Sequence, residues 1–177
     1  MITYHYRTRF DFSTRQTTIY NEQDETIGSI QRTYPTKVQQ LIDTVLYRSR
    51  HYKNYEIRNQ ERRLIVSITD QTKRFKRRDQ KVIYYKNDQV YSFHLIDSTV
   101  FGDTENVTFS FENQKCSIQK LPLEPAKFTV NGQLAADWKI PVKSPLNTQV
   151  RLLNEDLKKD ILLFIGCLHG YYSAEGY

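Results

Sequence analysis

The stretch Asp160–Tyr172, DILLFIGCLHGYY, decides the fold. It is the most apolar run in the chain, and every residue from Ile161 to Leu168 is apolar or glycine. Just ahead of it, Asn154 is a suitable helix N-cap, and Glu155 and Asp156 fall in the first turn, where the helix dipole favours anions. The segment reads as a helix with no polar face, and such a helix must be enclosed on all sides. A bilayer span needs about 20 apolar residues, whereas runs of ~10–14 are more often core helices. Lys158, Lys159 and Asp160 cut this run on one side, and His169, Gly170 and Tyr171 thin it on the other. A C-terminal membrane anchor is therefore the poorer reading.

The rest of the chain supplies the enclosure. Short strand-like runs come in pairs joined by polar turns: Thr17–Asn21 with Thr26–Arg32, Tyr55–Asn59 with Leu64–Thr69, and Lys81–Tyr85 with Val90–Leu95. Val107–Glu112 with Cys116–Lys120, and Lys127–Val130 with Gln133–Trp138, complete at least ten strands. The last pair flanks Asn131-Gly132, whose type I′ turn needs positive φ at both central residues. Consecutive hairpins make an antiparallel meander. A helix on an open sheet keeps one wet face; a helix threaded through a closed barrel keeps none. The expected fold is all-β with helices: a closed antiparallel barrel around the C-terminal helix, with Gly166, Cys167 and Gly170 letting the walls approach.

A second helix is expected from Thr36 to Arg48. Val38, Leu41, Ile42, Val45 and Leu46 form an apolar stripe at i, i+3, i+4, i+7 and i+8, and Thr36 and Gln39 have capping-box spacing. Such a stripe is expected to pack on the sheet, with a partner-binding helix as the poorer reading.

Length and composition agree with a single domain over residues 1–177. The chain has 13 Tyr and 9 Phe but only 6 Gly and 5 Pro, so strand-forming aromatics compensate for a low apolar count. The opening MITYHYRTRFDF has no apolar secretory core. Cys116 and Cys167 lie far apart without ligand spacing, which suits two structural thiols in a reducing cytoplasm. The net charge of +6 is uneven: Lys37–Lys86 holds 14 Lys and Arg against 5 Asp and Glu, while the remainder is net −3. That asymmetry points to an anionic partner or to a well-solvated face.

The early hairpin TTIYNEQDETIGSIQR, the late hairpin KFTVNGQLAADWKIP with Ala136 and Trp138, and the final LKKDILLFIGCLHGYY together resemble the tubby C-terminal domain superfamily. This superfamily includes the tubby-like proteins, the phospholipid scramblases and the LURP-one-related proteins with their small bacterial relatives. The resemblance implies about twelve strands around a central helix and a role at membrane lipid, since tubby domains bind phosphoinositide headgroups. It carries over no individual lipid-binding residue. The chain has no acidic calcium loop or proline-rich N-terminal arm like those of scramblases, which argues against that activity.

The densest charge cluster, KRFKRRDQK, holds Lys73, Arg74, Lys76, Arg77, Arg78 and Lys81 around Phe75. Arginine forks and lysine point charges suit phosphate, and each is worth about 1 kcal/mol near an anionic membrane. The cluster reads first as a solvated loop, second as an anionic lipid or phosphate site, and third as a nucleic-acid grip with Tyr84 and Tyr85 stacking bases. Arg48, Arg50, His51 and Lys53 form a second patch, which merges with the first and with Arg62 and Arg63 if these loops share one end of the barrel. His5, His51, His94 and His169 have no metal-ligand spacing; His94 is expected in a strand wall and His169 near the end of the central helix, either buried or as a C-terminal cap partner. The acidic GDTEN, Gly102–Asn106, reads as a turn rather than a cation loop. No nucleophile elbow, zinc-protease, P-loop or dinucleotide motif is present, so no cofactor, metal or catalytic residue is assigned. The expectation is a non-enzymatic cytoplasmic binding module, peripheral to an anionic membrane surface. A protein-interaction scaffold is the first alternative and nucleic-acid binding the second.

Overall fold

The structure is a computed structural model and describes residues 1–7, 13–46, 54–72, 77–98, 105–121, 124–139 and 147–172. Twelve strands form it: β1 (Ile2–Arg7), β2 (Thr17–Tyr20), β3 (Thr26–Thr33), β4 (Asn54–Asn59), β5 (Leu64–Asp70) and β6 (Asp79–Lys86) in the first half. The second half holds β7 (Gln89–Asp97), β8 (Glu105–Phe111), β9 (Gln114–Lys120), β10 (Ala126–Val130), β11 (Gln133–Lys139) and β12 (Asn147–Leu152). Helix α1 (Lys37–Leu46) lies between β3 and β4, and a 3-10 turn (Glu155–Asp160) leads into α2 (Ile161–Tyr172). Each strand pairs antiparallel with its neighbour in sequence, and β1 pairs with β12, so the meander closes into a barrel.

The ten strands of the sequence analysis lie in β2–β11, with ends shifted by one or two residues. The two it did not assign are β1 and β12, and these make the seam. Six residue pairs join them, from Ile2 opposite Leu152 to Arg7 opposite Asn147. Along several strands alternate residues point inward, as Tyr4 and Tyr6, Val66 and Ile68, or Ala126, Phe128 and Val130 do. Register shifts at Ile19/Tyr20, Ile57/Arg58 and Phe128/Thr129 bend the wall. The Asn131-Gly132 turn has φ of 50° and 81°, as a type I′ turn requires.

Helix α2 fills the lumen, and all its residues but Leu162 are buried. No helix among the described residues is long and apolar enough to cross a membrane. Glycine sets how close the β4–β5 wall comes. A Cβ on Gly166 would stand 3.0 Å from Ile57 Cδ1, and one on Gly170 would stand 2.8 Å from Ile68 Cδ1.

Polar side chains from the wall hold both ends of α2. Asn154 Oδ1 accepts from the Asp156 amide (3.0 Å) and starts the 3-10 turn. At the end of that turn Asp160, 1% exposed, accepts from Tyr84 Oη (2.7 Å) and pairs with Lys86 Nζ (2.9 Å), which also reaches Glu112 (2.7 Å). At the other end the last carbonyls have no partner within the helix. Gln80 Nε2 donates to the Gly170 carbonyl (2.8 Å), and Arg78 Nη1 donates to that of Tyr171 (2.8 Å).

In an up-and-down barrel the connections alternate between ends. The even-to-odd connections, 21–25, 60–63, 87–88, 112–113 and 131–132, are turns of two to five residues, and they share an end with the entry to α2. The odd-to-even connections, 8–16, 34–53, 71–78, 98–104, 121–125 and 140–146, have five to twenty residues and share the end at which α2 stops.

Candidate anion-binding end of the barrel

Charge follows the same division. The six long connections carry twelve Lys and Arg against four Asp and Glu. The five tight turns together with 153–160 carry four against nine. By sequence, the long connections are therefore net basic and the tight turns with 153–160 net acidic.

Of the six cluster residues, Lys73, Arg74 and Lys76 lie outside the described residues, as does Phe75, while Arg77, Arg78 and Lys81 lie within them. The base of the connection is tied down. The Gln71 amide donates to the Asp79 carbonyl (2.8 Å), the Asp79 amide to Thr72 Oγ1 (3.1 Å), and the Thr72 amide to Asp70 Oδ1 (2.9 Å). Arg77 is exposed. Arg78 is half-buried; besides its bond to the Tyr171 carbonyl, its guanidinium lies 4.8 Å from the Tyr171 ring centroid. It is committed to holding the end of α2, so the six residues do not act as one free cluster. Lys81 sits further along β6, opposite His94 on β7, and His94 Nδ1 lies 2.7 Å from Asp79 Oδ1.

The second patch, Arg48, Arg50, His51 and Lys53, lies outside the described residues. Its connection, 34–53, leaves from the same end as 71–78, and the two flank the adjacent pair β4 and β5. Arg62 and Arg63 cannot join them, because the β4–β5 turn is at the opposite end, where Arg63 pairs with Glu61 (3.0 Å). Of the GDTEN stretch, Gly102–Thr104 lies outside the described residues, and Glu105 and Asn106 begin β8.

Helix α1 starts as expected, with the Gln39 amide donating to Thr36 Oγ1 (3.2 Å). Its packing departs from expectation. Val38 and Leu41 are 65% and 62% exposed, while Gln39 and Gln40 between them are half-buried. The described apolar side chains of the stripe face away from the barrel.

Beneath the basic end lies a buried polar network that sequence reasoning missed. The Trp138 indole N–H donates to Tyr6 Oη (3.1 Å), Thr148 also bonds that hydroxyl, and Tyr6 Oη lies 3.1 Å from His169 Nδ1. The Tyr6 hydroxyl therefore bridges the Trp138 indole and the His169 ring at the closed-in end of α2. Burial pushes the His169 pKa down to about 3. Tyr55 packs edge-on against the same ring (4.9 Å) and Tyr172 stacks on Trp138 (5.5 Å). The only sequence signal was a histidine and two tyrosines closing an apolar helix. Cys116 and Cys167 are free and buried, and burial raises both pKa values, that of Cys116 to about 11. Neither thiol is poised as a nucleophile at neutral pH.

Neither a curated protein nor a solved structure matches the chain. The profile of the Tubby C-terminal like domain matches residues 4–174, from the first strand of the seam to just past the enclosed helix. With the closed barrel and its threaded helix, that match shows that the chain belongs to the Tubby C-terminal like domain family.

Proposed function

We propose that this protein is a non-enzymatic binding module that docks on anionic phospholipid or phosphate groups through the basic end of its barrel, at the cytoplasmic side of a membrane. The observation that carries the reading is the segregation of charge, with twelve basic residues against four acidic at the long-loop end and the reverse excess at the other. An anionic plane attracts the first end and repels the second, so the field orients the barrel as well as drawing it in. Family membership supports the choice of lipid, since tubby domains bind phosphoinositide headgroups. Lys73, Arg74, Lys76 and Arg77 are the proposed ligands for phosphate, with Lys81 flanking them. Arg78 contributes field but is already engaged by α2.

The test is co-sedimentation with vesicles of phosphatidylcholine, alone or with phosphatidylserine or phosphoinositides, at low and physiological salt. A variant with Lys73, Arg74, Lys76 and Arg77 changed to Gln leaves Arg78 intact, so the end of α2 keeps its partner. Retention of the parent on anionic vesicles, weakened by salt and lost in the variant, is the expected result. If both proteins stay folded and neither sediments, the proposal is refuted and a protein partner takes its place. Equal retention on vesicles and oligonucleotides refutes lipid selectivity.

A further inference from the structure

The described start of helix α1 departs from the arrangement expected of an amphipathic helix packed on a barrel. The described part of its stripe, Val38 and Leu41, is exposed, while the intervening Gln39 and Gln40 turn toward the protein. Gln39 Oε1 is buried with no hydrogen-bond partner among the described residues. Scattered surface aliphatics are ordinary, but two on one helix face are the start of a patch. In sequence the stripe continues at helical spacing through Ile42 and Val45. An apolar face held outward while a glutamine oxygen goes unpaired beneath it calls for an apolar medium on the outside.

Charge identifies that medium. The connection carrying α1, 34–53, has four Lys and Arg and one Asp, and Lys37 opens the helix. The neighbouring connection at the same end, 71–78, has five Lys and Arg and no acid. An apolar stripe bordered by basic residues is the pattern of a helix lying in the boundary between headgroups and acyl chains. At ten residues α1 is roughly 15 Å long, too short to span a bilayer but suited to lying flat in its surface. The polarity of the whole barrel favours a membrane over a protein partner. An extended anionic plane acts on every basic connection of this end at once, whereas a protein docked on α1 needs only the local stripe.

We propose that α1 is an interfacial anchor, inserting Val38 and Leu41 into the surface of an anionic bilayer once the basic end of the barrel has docked. The proposal rests on the lipid reading of that end and adds a hydrophobic, salt-resistant component to it. Electrostatic attraction collects and orients the protein, and the apolar stripe then slows its departure.

Two variants test this on the full chain. Leu41→Trp places a fluorophore on the exposed face, while Trp138 is buried in the barrel and sheltered from lipid. With phosphatidylcholine–phosphatidylserine vesicles its emission is expected to shift to the blue and to be quenched by brominated acyl chains, with neither change on phosphatidylcholine alone. Val38→Ser/Leu41→Ser removes the apolar face at exposed positions and keeps the fold. It is expected to lower vesicle partitioning about tenfold and to leave a remainder that salt abolishes. If the parent sediments while the new indole is neither shifted nor quenched and the double variant partitions like the parent, the anchor is refuted and the electrostatic reading stands. If the parent does not sediment on anionic vesicles at all, both fall together. A concentration-dependent dimer of the parent that the double variant abolishes assigns the face to a second copy of the chain and overturns the lipid assignment.

Discussion

His169 is expected to make the barrel acid-labile. In the unfolded chain an imidazole titrates near 6.5, whereas burial against Tyr6 and Tyr55 pushes the folded value down to about 3. The folded state therefore holds fewer protons than the unfolded state between these limits. The stability this neutral histidine contributes is fully present above pH 6.5 and is lost as pH falls toward 3. Worked as linkage, moving from about pH 7 to about pH 4.5 costs about 2.5 kcal/mol from this group alone. For a domain of this size that is ~5–10 °C in Tm. Other groups also respond to pH, so the measurement must be a difference between two proteins. His169→Gln keeps an acceptor for the Tyr6 hydroxyl but cannot take up the proton. Urea melts followed through Trp138, the single tryptophan, which sits on this network, are expected to show the parent losing about 2.5 kcal/mol more than the variant between the two pH values. Equal losses in the two proteins refute the reasoning. So does an NMR titration in which all four histidine rings take up protons between pH 7 and 5.

The buried pair at the start of α2 is expected to be strongly coupled: Lys86→Met takes the ion-pair partner from buried Asp160 and costs about 3–5 kcal/mol, whereas adding Asp160→Asn to it restores much of that, and additive losses in a double-mutant cycle would sink the idea. Arg78 and Arg77 are neighbours with separate duties. Arg78→Gln is expected to lower stability by about 1–3 kcal/mol through the lost bond and ring contact at Tyr171, and Arg77→Gln by less than ~0.5, while vesicle retention ranks them the other way; equal stability losses contradict the assignment.

Much of this protein is written locally. Ten strands could be read because alternation and turn chemistry act within a few residues, as Asn131-Gly132 shows with two positive φ values between β10 and β11. The threaded helix was legible because a segment apolar on every side from Ile161 to Leu168 has few places to go, and glycines at 166 and 170 lie where the wall comes closest. The seam was not legible. Thr3 of β1 and Arg151 of β12 face each other across almost the whole chain, and neither strand has a hairpin turn to announce its partner.

The candidate site divides in the same way. The excess of basic residues in 37–86 is a property of composition. Which of them share an end is a property of the meander, because alternation of loop sides brings 34–53 and 71–78 together and sends Arg62 and Arg63 to the far end. Periodicity placed a helix at α1 correctly, but the described members of its stripe, Val38 and Leu41, are exposed rather than packed on the sheet, since a period says which residues lie together and nothing about what lies opposite. The duties of Arg78, Lys86 and Tyr6 were beyond reach for the same reason: each is defined by a partner more than seventy residues away, on α2 or the turn that leads into it, whose position exists only once the barrel has closed.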